Sequence, residues 1–437
     1  MSDLFSPAAG MHLWAIATAA VVSAATALVG ALLVVRRMSL LGDAISHAVL
    51  PGIAVAVLAG GRPGGVAVLF GGVLAALVTV WLTQLLATRG GVAEDAGAGV
   101  VFTTLFAAGV LIISAAAARI DLDPACVLYG ILELVPFDTV AVFGAEIPRA
   151  FLTATAVLAM VAAGIAATWK LQVFTAFDAD AARAAGAPVA GATAGLLAAT
   201  ALATVAGFEA VGAVLVVTML VVPAATAELL VHRLHHVVML AVAVAVGGAV
   251  AGYLAAWRWN TNAAGMIAVV LGAGYACAAL LAPGDGIVSR LMARGWLRWR
   301  VACEDQLAAV WRRGEATARG GPAPPLPAGL LAAAARGLLG ASGALRREAD
   351  GWSLAPRGRR AAELVVRSHR LWEAWLGRHT DLPLDHLHPP AEWMEHHIGA
   401  EVRARIEREL GWHPSDPHGS DIPPEGPVRG GPSDASA

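Results

Sequence analysis

The chain has 437 residues, of which 58% are hydrophobic and 14% charged, with a formal net charge of -2. Soluble domains carry roughly a quarter of charged residues, so this composition excludes an ordinary water-soluble globule and calls for lipid to cover the apolar surplus. The near-neutral net charge by itself points to no partner.

The hydrophobicity is concentrated in runs of about 20 residues, each long enough to cross a bilayer as a helix. The pattern predicts nine spans, near residues 13–35, 44–60, 66–86, 97–117, 150–169, 188–206, 209–230, 236–256 and 262–282. The first run is too long for a cleavable signal peptide, has no basic segment before it and ends at Arg36 and Arg37, so it stays in the mature protein. An odd span count puts the termini on opposite sides of the membrane. With the amino terminus outside, Arg36, Arg37, Arg89, Lys170, Arg183 and Arg233 fall in cytoplasmic connections, and fewer basic residues fall outside, which favours a cytoplasmic carboxyl terminus. The stretch 121–146 is apolar but broken by Glu133, Pro136 and Asp138, the pattern of a re-entrant or interfacial segment. Cys126, Cys277 and Cys303 are scattered without metal-ligand spacing and fit ordinary packing positions.

After Pro283 charged residues become dense and no further stretch could span a membrane. The chain therefore divides into a membrane region over residues 1–285, a juxtamembrane connector over 286–299 and a soluble, mainly helical part. A tail over 414–437, rich in Pro, Gly, Ser and Asp, has too little apolar content to fold alone and is expected to be disordered.

The most informative membrane segment runs from Ser39 to Gly52 and reads Ser-Leu-Leu-Gly-Asp-Ala-Ile-Ser-His-Ala-Val-Leu-Pro-Gly. Asp43 and His47 stand four apart, on one face of a helix. A carboxylate and an imidazole at membrane depth are expensive to bury and suit a divalent transition metal; the competing reading is a helix cap and a packed imidazole. Pro51 cannot donate to the His47 carbonyl, which loosens the helix one turn beyond the histidine. Glu209, near the external end of its span, is a weaker candidate for the metal path. There is no phosphate-binding Gly-rich loop ending in Gly-Lys-Ser or Gly-Lys-Thr, and the sole lysine is Lys170 after Trp169, so this chain is not itself an ATP motor.

This segment, with Gly99–Phe106, Val127–Leu132, Phe177–Arg183, Phe208–Gly212 and Val222–Ala227, resembles the ABC-3 family of transition-metal importer permeases. The resemblance covers nearly all of residues 11–285. It implies an all-helical polytopic permease of about eight or nine spans that dimerises or pairs with a second permease. The metal would be manganese, zinc or iron, delivered by an external binding lipoprotein or periplasmic protein, and a separate ABC ATPase would supply the energy. It further implies that Asp43 and His47 hold the metal in transit, and that Phe177 to Gly186, with Asp178 and Arg183, is the coupling helix that contacts the ATPase. The setting would be the bacterial plasma membrane.

In the soluble part, His369 and Glu373 are four apart, and His388, Glu392, Glu395, His396 and His397 follow. Helical spacing would put His388, Glu392 and Glu395 on one stripe with His396 beside it, a pattern suited to a metal site. The run from Leu354 through Arg367–Glu373 and Glu392–His397 to Gly419 resembles the metal-binding and dimerisation domain of the diphtheria-toxin-repressor family. By that resemblance residues 359–413 form the metal-binding region, with His369, Glu373, His388, Glu392, Glu395 and His396 as ligands across two adjacent sites. Glu392 stands where manganese-responsive members carry glutamate, which favours Mn(II). Val301–Val310 resembles the first helix of the family's winged helix, with Asp305 at a ligand position and Ala308 where a second acid would stand. Residues 300–358 are then a degenerate winged helix whose few basic groups, Arg336, Arg346 and Arg347 among them, speak against DNA as a partner. A membrane-tethered metal-dependent regulator and a proton-coupled metal transporter are the alternatives to an ABC permease.

Overall fold

The structure, a computed structural model, describes residues 7–60, 65–116, 132–142, 144–349, 351–383, 386–411 and 415–424. It divides into two compact units, Met1–Ser289 and Arg290–Ala437.

The first unit is a helical bundle. Its helices are α1 (Pro7–Val35), α2 (Ser39–Ala48), α3 (Leu50–Leu58), α4 (Val66–Gly90), α5 (Glu94–Ala116), α6 (Arg149–Phe177), α7 (Ala179–Ala184), α8 (Val189–Val211), α9 (Ala213–Leu230), α10 (Leu234–Trp259) and α11 (Ala263–Leu281). Among the described residues eight helices are long and apolar enough to cross a membrane. The span expected over 44–60 is instead the broken pair α2 and α3. The break falls at Val49, with Pro51 in the first turn of α3, where its missing N–H is harmless but its ring stops α2 from running on.

α1 is the central helix, packed against α6, α8, α9 and α10. Its apolar side chains feed two cores: Val29, Leu32 and Leu33 meet Leu196, Leu197 and Leu220, while Ala15, Ala19 and Val22 join Val216, Met219 and Tyr253. Small residues let backbones touch, as membrane helices require when lipid offers no hydrophobic drive for association. A Cβ on Gly52 of α3 would stand 2.1 Å from the Gly71 carbonyl oxygen of α4, so the two helices cross backbone to backbone there. Before α6 stand a short 3-10 helix, Leu132–Phe137, and a hairpin of β1 (Thr139–Val142) and β2 (Ala145–Pro148) paired Thr139↔Pro148 through Val142↔Ala145. Leu132 is buried in the second core, and Glu133 Oε1 accepts the Ala263 N–H at 2.9 Å, capping α11. Residues 117–131, where the resemblance over Val127–Leu132 and the start of the interfacial segment fall, lie outside the described residues apart from Leu132.

The second unit contains α12 (Ile287–Ala318), most of which lies beyond Arg290, then α13 (Leu330–Ala341), β3 (Leu345–Glu348), β4 (Gly351–Leu354), α14 (Pro356–His379), α15 (His388–Met394) and α16 (Ala400–Leu410). The expected connector over 286–299 is thus helical. Between α12 and α14 the described residues form one helix, α13, and the β3–β4 hairpin, and the unit is mostly helical. Leu307, Val310, Leu339, Leu345 and Ala362 form one core, and Leu371, Ile406 and Leu410 another.

The expected disordered tail is corrected in its first part. Residues 415–424 fold onto α14: Asp416 accepts the His418 and Ser420 N–H groups at 2.9 and 2.7 Å, and buried Arg370 reaches Asp416 and the Asp421 carbonyl. Composition is blind to this because two charged groups, Arg370 and Asp416, anchor the segment, with Ile422 among its few apolar side chains packing against the Leu371, Ile406 and Leu410 core. Residues 425–437 lie outside the described residues.

Candidate functional site

In the membrane unit α2 carries Asp43 and His47 one turn apart. The His47 ring is half-buried against α5, its centroid 6.0 Å from that of Phe102 and 5.9 Å from that of Phe106. These phenylalanines belong to the Gly99–Phe106 segment singled out in the sequence. Immediately after the imidazole the chain breaks, and the break is nested against α5, where a Cβ on Gly109 would lie 2.8 Å from the Pro51 nitrogen. Pro51 has no N–H to continue the α2 ladder, so the imidazole-bearing turn ends one residue before α3 begins. The side chains of Asp43 and Glu209 lie outside the described residues.

At another turn of the bundle, α7 is a six-residue helix joining α6 to α8. Asp178 caps it, accepting the Asp180 and Ala181 N–H groups at 3.1 and 2.8 Å, and Arg183 pairs with Asp180 in an exposed i,i+3 contact. Phe177 before it is 71% exposed, a large apolar side chain presented at the start of the turn.

The second unit gathers acids and imidazoles into two groups, in each of which three ligand atoms lie within 4.8 Å of one another. In the first, α14 supplies His369 and Glu373 from successive turns and the first residue of α15 supplies His388. His369 Nε2 and His388 Nδ1 each stand 3.0 Å from Glu373 Oε1, and 3.0 Å from each other. In the second, α12 supplies Asp305, while Glu395 and His396 follow the end of α15. His396 Nε2 lies 2.9 Å from Asp305 Oδ1 and 3.6 Å from Glu395 Oε1, and its Nδ1 is 2.7 Å from Glu304 Oε2. Glu395 ties the groups together, with Oε2 2.6 Å from His369 Nδ1.

Such donor sets, two imidazoles with a carboxylate and one imidazole with two carboxylates, fit a divalent first-row metal. His369, Glu373 and Glu395 are buried at 3%, 2% and 4% exposure, so their pairing is enforced by the fold and not by chance at a surface. Electrostatics follow. Burial alone would raise the Glu373 carboxyl, but the hydrogen bonds and charges of His369 and His388 overcome it and bring it down to about 2. Burial likewise opposes a charged His396, yet Asp305, Glu304 and Glu395 push it up to about 9. His369 is raised against its burial by Glu373 and Glu395. Without a metal, protons play the part of the cation.

Glu392 departs from the expectation. α15 ends at Met394, and beyond it the chain tightens into a turn, His397 N–H to Met394 O at 2.8 Å. Glu395 and His396 turn inward while Glu392 stays exposed on the helix and stands outside both groups. Glu392 therefore stands apart from the two groups, and the manganese preference read from it rests on sequence alone.

Three neighbours escaped the sequence reading. Glu304 was hidden by its adjacency to Asp305, in a helix turn where both carboxylates can reach His396. His418, 4.0 Å from Glu373, sits in the segment set aside as tail. Arg312, whose Nη2 donates to Glu395 Oε2 at 3.1 Å, lies one helical turn beyond Ala308.

Comparison with known proteins agrees with this division. The profile of the ABC 3 transport family matches residues 9–282, and that of the iron dependent repressor metal binding and dimerisation domain matches residues 355–424. The manganese transport system membrane protein MntD of Bacillus subtilis is 40% identical over 278 residues, covering 63% of this chain and 94% of that protein. The zinc transport system membrane protein TroD of Treponema pallidum is 33% identical over 274 residues, 63% of this chain and 75% of that protein. Among solved structures, PsaBC from Streptococcus pneumoniae in complex with Fab superposes with a TM-score of 0.56 at 26% identity, covering 65% of this chain and 95% of that one.

Proposed function

Because the chain belongs to the ABC 3 transport family, we propose that it is the transmembrane subunit of an ABC importer for a divalent transition metal, Mn(II) first, with Zn(II) and Fe(II) as alternatives. The observation that carries this reading is the broken α2–α3 pair, which sets Asp43 and His47 one turn apart just before a proline-stopped helix end, inside a unit 40% identical to a manganese transport protein. An oxygen and a nitrogen donor on a turn that can shift suit a metal that must be held and then released.

Two such permeases form the pathway, and an external binding protein delivers the metal. Motion comes from a separate ATPase resting on α7, where exposed Phe177 and the capped Asp178–Arg183 turn offer a compact protrusion. The membrane is the bacterial plasma membrane, and the second unit lies in the cytoplasm. There its acid and imidazole groups take up the same metal and report its level back to the permease: filling them replaces protons and orders the turn after α15, and differential affinity for two permease states is the condition for feedback. Two features argue against DNA as the target, namely the single helix α13 and the sparse basic side chains around it.

Reconstitution tests the reading. The chain in liposomes with its ATPase should take up Mn(II) only when ATP is supplied on the ATPase side, and charge-removing changes at Asp178 and Arg183 together should weaken ATPase association. Uptake by the chain alone, driven by a proton gradient, would establish the secondary-transporter alternative instead.

A further inference from the structure

The group formed by Asp305, Glu395 and His396 contains a cation that belongs to the protein. Arg312 projects from α12 two turns beyond Asp305, and its Nη2 donates to Glu395 Oε2 at 3.1 Å. The Glu395 side chain is 1% exposed and that of Arg312 is 31% exposed. A buried carboxylate without a counter-charge is costly, and a guanidinium that stays half in water is a cheap way to supply one. One turn earlier on the same face stands Ala308, 1% exposed, which brings neither charge nor ligand to the group.

We propose that Arg312 is a resident cation of this group, which keeps Glu395 compensated when no metal is bound and lowers the affinity of the group for a divalent ion. First, Glu395 Oε2 is already held by His369 Nδ1 at 2.6 Å, while Oε1 faces His396 Nε2 at 3.6 Å, so the carboxylate keeps its orientation toward the group without Arg312. Arg312 is therefore not needed as a strut. Second, a fixed positive charge bonded to one oxygen of a carboxylate repels a divalent ion arriving at the other; solvent at the 31% exposed guanidinium weakens that repulsion, while the 1% exposed carboxylate between the two charges preserves part of it. Loss of Arg312 removes that repulsion and at the same time leaves Glu395 in the empty group with one counter-charge fewer, the imidazoles of His369 and His396 alone. Both effects favour the metal-bound form. Arg300, 3.8 Å from Glu304 on the outer side of His396, is a second cation of the group, but it faces a carboxylate that is itself partly exposed. Placed so, Arg312 sets the metal concentration at which the domain fills, and this inference rests on the metal-responsive reading of the domain given above.

The test uses the full-length chain in detergent with the membrane ligands removed (Asp43→Ala, His47→Ala), stripped of metal and titrated with Mn(II) alone. The component of binding abolished by Asp305→Ala belongs to this group. Arg312→Gln should tighten that component by about tenfold or more, while Arg312→Lys, which keeps the charge, should bind as the parent does. Arg312→Gln should also lower the melting temperature of the metal-free chain and not that of the metal-saturated chain, which separates counter-charge from simple packing. Unchanged or weaker binding in Arg312→Gln overturns the proposal and leaves the metal-binding reading standing. Absence of any Asp305-dependent component in both parent and Arg312→Gln overturns the two together.

Discussion

If His396 carries a proton wherever it lacks a metal, then pH must compete with metal at the second group. Asp305, Glu304 and Glu395 raise His396 to about 9 against the opposing effect of burial, so the free ring is charged at pH 7, and a ligating imidazole must be neutral. Below the ordinary histidine value of about 6.5 the charged ring contributes its full share of stability to the metal-free fold, and that share is lost as pH rises through about 9. A shift from about 6.5 to about 9 corresponds to about 3 kcal/mol in favour of the charged, metal-free ring. Displacing the proton at pH 7 then weakens metal binding about a hundredfold, and affinity rises about 30-fold between pH 6.5 and 8.0. The assay is Mn(II) titration of the stripped full-length chain at several pH values, taking the component that Asp305→Ala removes, with calorimetry in buffers of different ionisation enthalpy to count released protons. A flat affinity across this range, or no proton release, would refute the reasoning.

Other parts of the structure give equally direct expectations. Gly52→Val places branched carbons where a Cβ already meets the Gly71 carbonyl at 2.1 Å, so the α3–α4 crossing must open; detergent-solubilised protein should lose its monodisperse size-exclusion peak or melt well below the parent, whereas Gly164→Ala, which meets nothing within 4 Å, should behave as the parent does. Arg370→Ala strands Glu315 and Asp416, both bonded to a guanidinium that is 6% exposed. Breaking a buried pair on one side costs about 3 kcal/mol, and hydrogen exchange should speed up over residues 415–424 and along α14, with unchanged exchange counting against the anchoring role.

Much of the membrane unit was legible because lipid imposes one rule, long uncharged runs, and because Pro51 marks where an expected span breaks in two. The β1–β2 hairpin was not, since its eight residues alternate too briefly to stand out from an interfacial coil. In the second unit the i,i+4 spacing of His369 and Glu373 placed both on α14, and there the sequence pattern and the geometry coincide. Glu392 did not join them: it lies exposed on α15, outside both groups, while Glu395 and His396 reach the imidazoles and acids of the neighbouring helices. Arg312 and His418 were invisible for a different reason: their partners, Glu395 and Glu373, lie 83 and 45 residues away, and no local pattern encodes a contact at that distance.

The central claim is that metal crosses the membrane by way of the ligand-bearing turn of α2. Its most direct measurement is ATP-dependent Mn(II) uptake by liposomes containing the chain and its ATPase, with Asp43→Ala and His47→Ala introduced singly into complexes whose assembly and ATP hydrolysis are verified in parallel. The account predicts that each variant assembles but takes up Mn(II) at no more than a few per cent of the parent rate, and parental uptake by both would contradict it.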